Sequence, residues 1–125
     1  MKRVVNPESL PPAAGPYSQA VRKGNCVFVS GMVGMNRNRQ LAPDIAAQTR
    51  RALENLVACL GEVGGTLPDV CSVTAWLEAV DRDFAAYNNV YREFFPVDPP
   101  ARATVEAHLL GGALVEIAAV AVLDD

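Results

Sequence analysis

The chain has 125 residues, 50% of them hydrophobic and 20% charged, with a net charge of -3. That length suits a single domain spanning residues 1–125, able to bury roughly two-thirds of the surface its unfolded chain would expose. The acidic balance and scattered basic residues exclude a broad electrostatic grip on nucleic acid, which needs clustered Lys and Arg.

Arg37, Arg39, Arg50 and Arg51 form the one loose basic group and read as a solvated helix face. Cys26, Cys59 and Cys71 are odd in number, far apart and set in apolar runs. They read as small buried thiols of a reducing compartment, not as a disulfide framework or zinc site. The start Met1-Lys2-Arg3 runs quickly into prolines rather than a secretory leader, and no apolar run has the length of a membrane span. A cytoplasmic protein with no membrane contact is expected.

Lys2 to Val5 reads as a short edge strand closed by Asn6-Pro7. The proline-rich segment 11–16 cannot enter a ladder, because proline lacks the backbone donor, and should form an ordered surface loop. Tyr17 to Val21 is extended, and Gly24-Asn25 signals a hairpin into a strand from Cys26 to Gly31. On that strand Val27 and Val29 share one face, with Cys26, Phe28 and Ser30 on the other. Gly34 to Gln40 is polar and turn-forming.

From Asp44 the period changes. Ile45, Thr49, Ala52, Leu53, Leu56, Val57 and Leu60 recur at three-four spacing, the stripe of an amphipathic helix, with Pro43 and Asp44 suited to its first turn. Gly61, Gly64 and Gly65 follow this helix rather than joining a strand to one, so they are not a phosphate loop. Val70 to Leu77 alternates, with Cys71, Val73, Ala75 and Leu77 on one side. Asp81 or Asp83 can cap a second helix striped by Phe84, Tyr87, Asn88, Tyr91 and Phe95 and stopped by Pro96. Ala101 to Leu109 and Leu114 to Leu123 are the last two strands.

This order predicts an α+β fold, a mixed but mostly antiparallel sheet with two helices packed on one face. The last strand is apolar on both faces: Val115, Ile117, Ala119, Ala121 and Leu123 against Ala118, Val120 and Val122. Two helices cover one face only, so the other is expected to meet a second copy of the chain.

If the last two runs pair as neighbours, Arg102 and Glu116 lie close together in an apolar setting. An arginine fork matches a carboxylate bidentately, which suits holding a small organic acid while water attacks it. Burial would raise the pKa of Glu116 towards a general base, while a nearby Arg102 would lower it. A structural Arg102–Glu116 ion pair fits the same residues. Tyr17 is either a loop aromatic or a hydrogen-bond donor over a ligand; Asn88 suits bonding the next loop's backbone. Ser30 lacks a histidine partner for a triad, and the one histidine, His108, lacks the companions of a catalyst or metal ligand.

The run Gly15-Pro16-Tyr17-Ser18-Gln19-Ala20-Val21, then Val29-Ser30-Gly31, Asp44-Ile45 with Gln48-Thr49, Phe84 with Asn88 and Tyr91, Pro100-Ala101-Arg102 and Val115-Glu116-Ile117 resemble, in order, signatures of the RidA/YjgF family. The resemblance implies a chorismate-mutase-like (YjgF-type) fold assembled as a homotrimer with inter-subunit sites. It implies cofactor-independent, metal-free hydrolysis of 2-enamine and 2-imino acids, such as 2-iminopropanoate and 2-iminobutanoate, to 2-keto acids and ammonia.

By the same resemblance Arg102 holds the substrate carboxylate and Glu116 orients water. Tyr17, Ser30, Gly31, Asn88 and Thr104 complete the substrate contacts, Thr104 standing where bacterial members often carry cysteine. The chain departs from the family pattern at Gly31-Met32, at Asn36-Arg37-Asn38-Arg39 in place of an Asp-Pro-x-Thr-Gly turn, and at a shorter Leu109-Leu110-Gly111-Gly112 connection. A non-catalytic small-carboxylate-binding trimer, or a deaminase specialised on another acid, is the alternative. A ribonuclease or translation inhibitor ranks below both, because the chain is acidic.

Overall fold

Lys23 pairs with Cys26 across the two-residue Gly24-Asn25 turn, so the hairpin forms where local turn chemistry places it. In the computed structural model, which describes residues 1–124, the strands it joins are β2 (Ala20–Lys23) and β3 (Cys26–Val33). Before them lies β1 (Arg3–Val5), and after them α1 (Ile45–Gly61), β4 (Val70–Leu77), α2 (Val80–Phe94), β5 (Ala101–Glu106) and β6 (Val115–Val122). The strands form one sheet in the order β1-β2-β3-β6-β4-β5. Every neighbouring pair is antiparallel except β4 and β5, which are parallel and linked through α2.

Both helices lie on one face, giving the expected α+β architecture. Under them Val27, Val29, Val73, Ala75, Leu77, Val115, Ile117, Ala119 and Ala121 are buried against Ala52, Leu53, Leu56, Leu60 and Tyr87. The opposite face carries Phe28, Val105 and Val122 exposed, with Trp76, Ala118 and Val120 half-buried. The two-sided apolar character of β6 therefore appears as one covered and one open face.

Asp44 caps α1, its carboxylate accepting from the Ala47 N–H at 2.8 Å. The apolar stripe holds except at Val57, which is 41% exposed.

Four expectations are corrected. The last two strands are not neighbours, because β4 lies between β5 and β6. Cys71 is exposed, not buried with Val73. A bulge explains it: Val70 pairs with Ala121 but Ser72 with Val120, leaving Cys71 as the extra residue whose insertion switches faces. Neither Asp81 nor Asp83 caps α2; the Glu106 carboxylate at the end of β5 accepts from the Val80 N–H at 2.9 Å instead. The loose basic group is divided too, with Arg50 and Arg51 on α1 and Arg37 and Arg39 in the loop before it. Of the buried thiols expected, Cys59 is fully enclosed, and burial with nearby Glu62 pushes its pKa up to about 12.

The end of β3 runs hard against α1. A Cβ on Gly34 would stand 2.5 Å from the Gln48 Cα and 2.6 Å from its carbonyl oxygen, atoms that cannot swing aside. Gly34→Ala should therefore cost about 3 kcal/mol of stability or more, read as a lower urea midpoint at unchanged slope.

Candidate functional site

Four of the residues singled out from the sequence meet at one cavity. Tyr17, Ser30, Gly31 and Glu116 line a cleft of about 540 Å³ between the N-terminal proline loop, β3 and the turn before β6. Its apolar wall includes Leu10, Met32, Met35 and Leu110.

The polypeptide holds this cleft open by side-chain bonds to backbone. Gln19 donates to the Pro11 carbonyl at 2.8 Å and fixes the proline loop. Asn55, buried on α1, donates to the Val33 and Met35 carbonyls at 3.1 and 3.0 Å. Gln48, also buried on α1, donates to the Ala42 carbonyl and accepts from the Leu114 N–H at 2.9 Å, just before β6. These groups were not foreseen as shaping the site. For Gln48 and Asn55 the signal was a polar residue at a buried position of a largely apolar helix face, which must find partners.

Within the cleft, Ser30 Oγ donates to the Ser18 carbonyl at 2.6 Å, so it braces the loop rather than facing a base. Tyr17 Oη accepts from the Ala14 N–H at 3.3 Å, and the ring stays 49% exposed at the rim. Gly31 makes room for a carboxylate: a Cβ there would overlap the Glu116 side chain. Glu116 itself is half-buried, has no hydrogen bond or ion pair among the described residues, and has its pKa raised by burial.

Arg102 is elsewhere. It pairs with Val73 across β4, and Val73 faces the helices. Glu116 pairs with Trp76, three residues along the same strand, and so points to the opposite face. No Arg102–Glu116 ion pair forms, which rules out the structural pairing that the sequence also allowed. The Arg102 guanidinium instead lies 4.6 Å from the ring centre of Tyr91 and 5.2 Å from that of Tyr87. Contact with two aromatic faces positions the fork and leaves its donors without a carboxylate among the described residues.

Thr104 joins this second cluster, its Oγ1 lying 3.4 Å from Tyr87 Oη. Burial, and then Tyr87, push the Tyr91 phenol up to about 12, with Arg102 pulling back. The Tyr91 hydroxyl is buried with no hydrogen-bond partner among the described residues. Asn88 is half-buried on α2, outside the cleft. His108 is exposed at the end of β5's connection, its Nδ1 2.7 Å from the Glu78 carboxylate.

Two measurements follow from this geometry. The folded chain holds the Glu116 proton more tightly than the unfolded chain does. Stability contributed by that group is present at low pH and falls as pH rises from the ordinary carboxylate range through the raised pKa. Glu116→Gln should therefore resist urea better than wild type at about pH 7 and lose that advantage below about pH 4. Removing the unpaired hydroxyl with Tyr91→Phe should raise stability by about 1 kcal/mol, measured by the same unfolding curves.

Similarity to known proteins covers the whole of this arrangement. The description "Endoribonuclease L-PSP" belongs to the family profile that matches residues 7–123. The 3-aminoacrylate deaminase RutC of Acinetobacter baylyi is 40% identical over 96% of this chain and 97% of its own. A 2-iminobutanoate/2-iminopropanoate deaminase of Dermatophagoides farinae is 37% identical over 98% of each. Among solved structures, the YjgF gene product of E. coli superposes with a TM-score of 0.92 at 33% identity, covering 98% of this chain and 99% of its own. With matches of this extent in sequence and fold, the chain belongs to the endoribonuclease L-PSP family, the RidA/YjgF family.

Proposed function

We propose that this protein hydrolyses reactive 2-imino and 2-enamine acids to 2-keto acids and ammonia, at sites shared between copies of the chain in a homotrimer. The observation that carries this reading is the separation of Arg102 and Glu116 on opposite faces of one sheet, each without a charged partner among the described residues. A carboxylate holder and a water-activating carboxylate that cannot meet in one chain can meet between two. The open apolar face formed by Phe28, Trp76, Val105, Val120 and Val122 supports such an assembly. Relatives named for 3-aminoacrylate and for 2-iminobutanoate and 2-iminopropanoate support the chemistry.

In this reading Arg102 of one copy anchors the substrate carboxylate and fixes C2 within reach of water in the cleft of another. Glu116, made more basic by burial, takes a proton from that water as its oxygen bonds to C2. The nitrogen is protonated, the C–N bond breaks as the carbonyl forms, and ammonia leaves. Tyr17 and the backbone at Gly31 and Thr104 bound the substrate, and Asn88 acts at a distance through its loop. No cofactor or metal takes part.

The alternative activity in the family's descriptive name, RNA cleavage, has less support: the cleft presents one arginine and the chain is acidic.

The test is keto-acid formation from 2-iminopropanoate and 2-iminobutanoate generated in place by an amino-acid oxidase, with RNA in a parallel arm. Wild type should exceed the buffer rate, and Arg102→Ala and Glu116→Gln should each lose about 100-fold or more. Co-assembled from the two inactive variants, mixed oligomers should recover part of the activity, since some sites would combine an intact Arg102 with an intact Glu116. A wild-type rate equal to buffer would sink the deaminase reading; no recovery in the mixture would sink the shared site.

A further inference from the structure

The cleft that holds Glu116 contains a single cationic side chain, and it is Arg39. Its Nη2 donates to the Pro12 carbonyl at 2.7 Å, which ties the exposed guanidinium to the proline loop at the cleft's rim. No carboxylate of the described residues pairs with it. A guanidinium has five N–H donors in a planar fork, so most of this one's capacity is unused.

The backbone presents this side chain at some cost. Arg39 has φ of 62°, a left-handed conformation that glycine adopts freely and arginine does not. It is held there by the surrounding turn. Asn36 Oδ1 accepts from the N–H groups of Asn38 and Gln40 at 2.9 and 3.0 Å, and the Arg39 N–H donates to the Asn36 carbonyl at 3.0 Å. A glycine would close the same turn with less strain; what arginine adds is a positive charge at the mouth of the cleft.

We propose that Arg39 is an anchor for a second carboxylate, so that this chain prefers 2-imino acids whose side chain ends in an acid group, such as 2-iminosuccinate or 2-iminoglutarate. The catalytic half of this statement rests on the deaminase reading above; the binding half does not need turnover. With Arg102 of another copy on the carboxylate beside C2, Arg39 takes the distal one, and the wall of Leu10, Met32, Met35 and Leu110 encloses the methylenes between. The reaction is unchanged: water's oxygen replaces the imine nitrogen at C2, ammonia leaves, and the distal carboxylate stays intact.

A strut that merely pinned Pro12 would affect all ligands alike, whereas an anchor acts on those with a second acid. Calorimetric titration with 2-oxoglutarate and 2-oxobutanoate, stable products of the two substrate classes, separates these roles. Wild type should bind the dicarboxylate about tenfold more tightly or better. Arg39→Gln should abolish that preference, and Arg39→Lys should keep part of it. The ratio of kcat/KM for imines generated from glutamate and from alanine should fall in parallel for Arg39→Gln.

Equal weakening of both ligands in Arg39→Gln, or no preference in wild type, overturns the proposal. Hydrolysis of 2-iminopropanoate without any dicarboxylate preference overturns it while leaving the deaminase reading intact. Arg39-dependent dicarboxylate binding without turnover would sustain the anchor and remove the deaminase reading.

Discussion

Strand β4 decides where chemistry can occur in this chain. It pairs with β5 on one edge and β6 on the other, so every residue of those two strands takes its direction from the β4 residue beside it. Arg102 stands beside Val73 and Glu116 beside Trp76, an odd separation along a strand whose side chains alternate. The guanidinium therefore goes to the helices and the carboxylate to the open face. No rotamer of either side chain reverses that, because the sheet itself stands between them.

Each of the two charged groups is prepared by its surroundings in a different way. Tyr87 and Tyr91 give Arg102 an aromatic seat, which positions its fork without neutralising it. Glu116 occupies space that only glycine at position 31 leaves free, and burial there makes its carboxyl hold a proton more tightly. An acid kept partly dry is costly alone, whereas the Arg102 fork stays exposed and without a carboxylate among the described residues. In the shared site proposed above, each group would be completed by a second copy docked on the exposed apolar face beside Glu116.

The rim of the cleft is built by connections that are tightly bonded. Gln19, Gln48 and Asn55 tie the proline loop, the end of β3 and the entrance to β6 to backbone carbonyls and N–H groups. The turn at Asn36–Gln40 then adds Arg39. These connections lie over a sheet and helices that superpose closely on the YjgF gene product of E. coli, and loops on a rigid scaffold are where ligand contacts are commonly set.

Local pattern by itself determined much of the fold. The Gly24-Asn25 turn, the cap at Asp44, the three-four stripe of α1 apart from Val57, and the alternation of β6 and of β3 as far as Ser30 each arise from neighbours in the chain. Beyond Ser30 an irregularity shifts the β3 register before Met32. The residues of the cleft, Tyr17, Ser30, Gly31 and Glu116, were legible through their resemblance to family motifs. Tertiary structure alone decided that β4 separates β5 from β6, that a bulge turns Cys71 outward, that Glu106 caps α2 and that Arg39 enters the cleft. The physical reason is common to all four. Strand order, register and long-range capping depend on which distant segments bury their apolar faces against one another, and no short stretch of sequence carries that information.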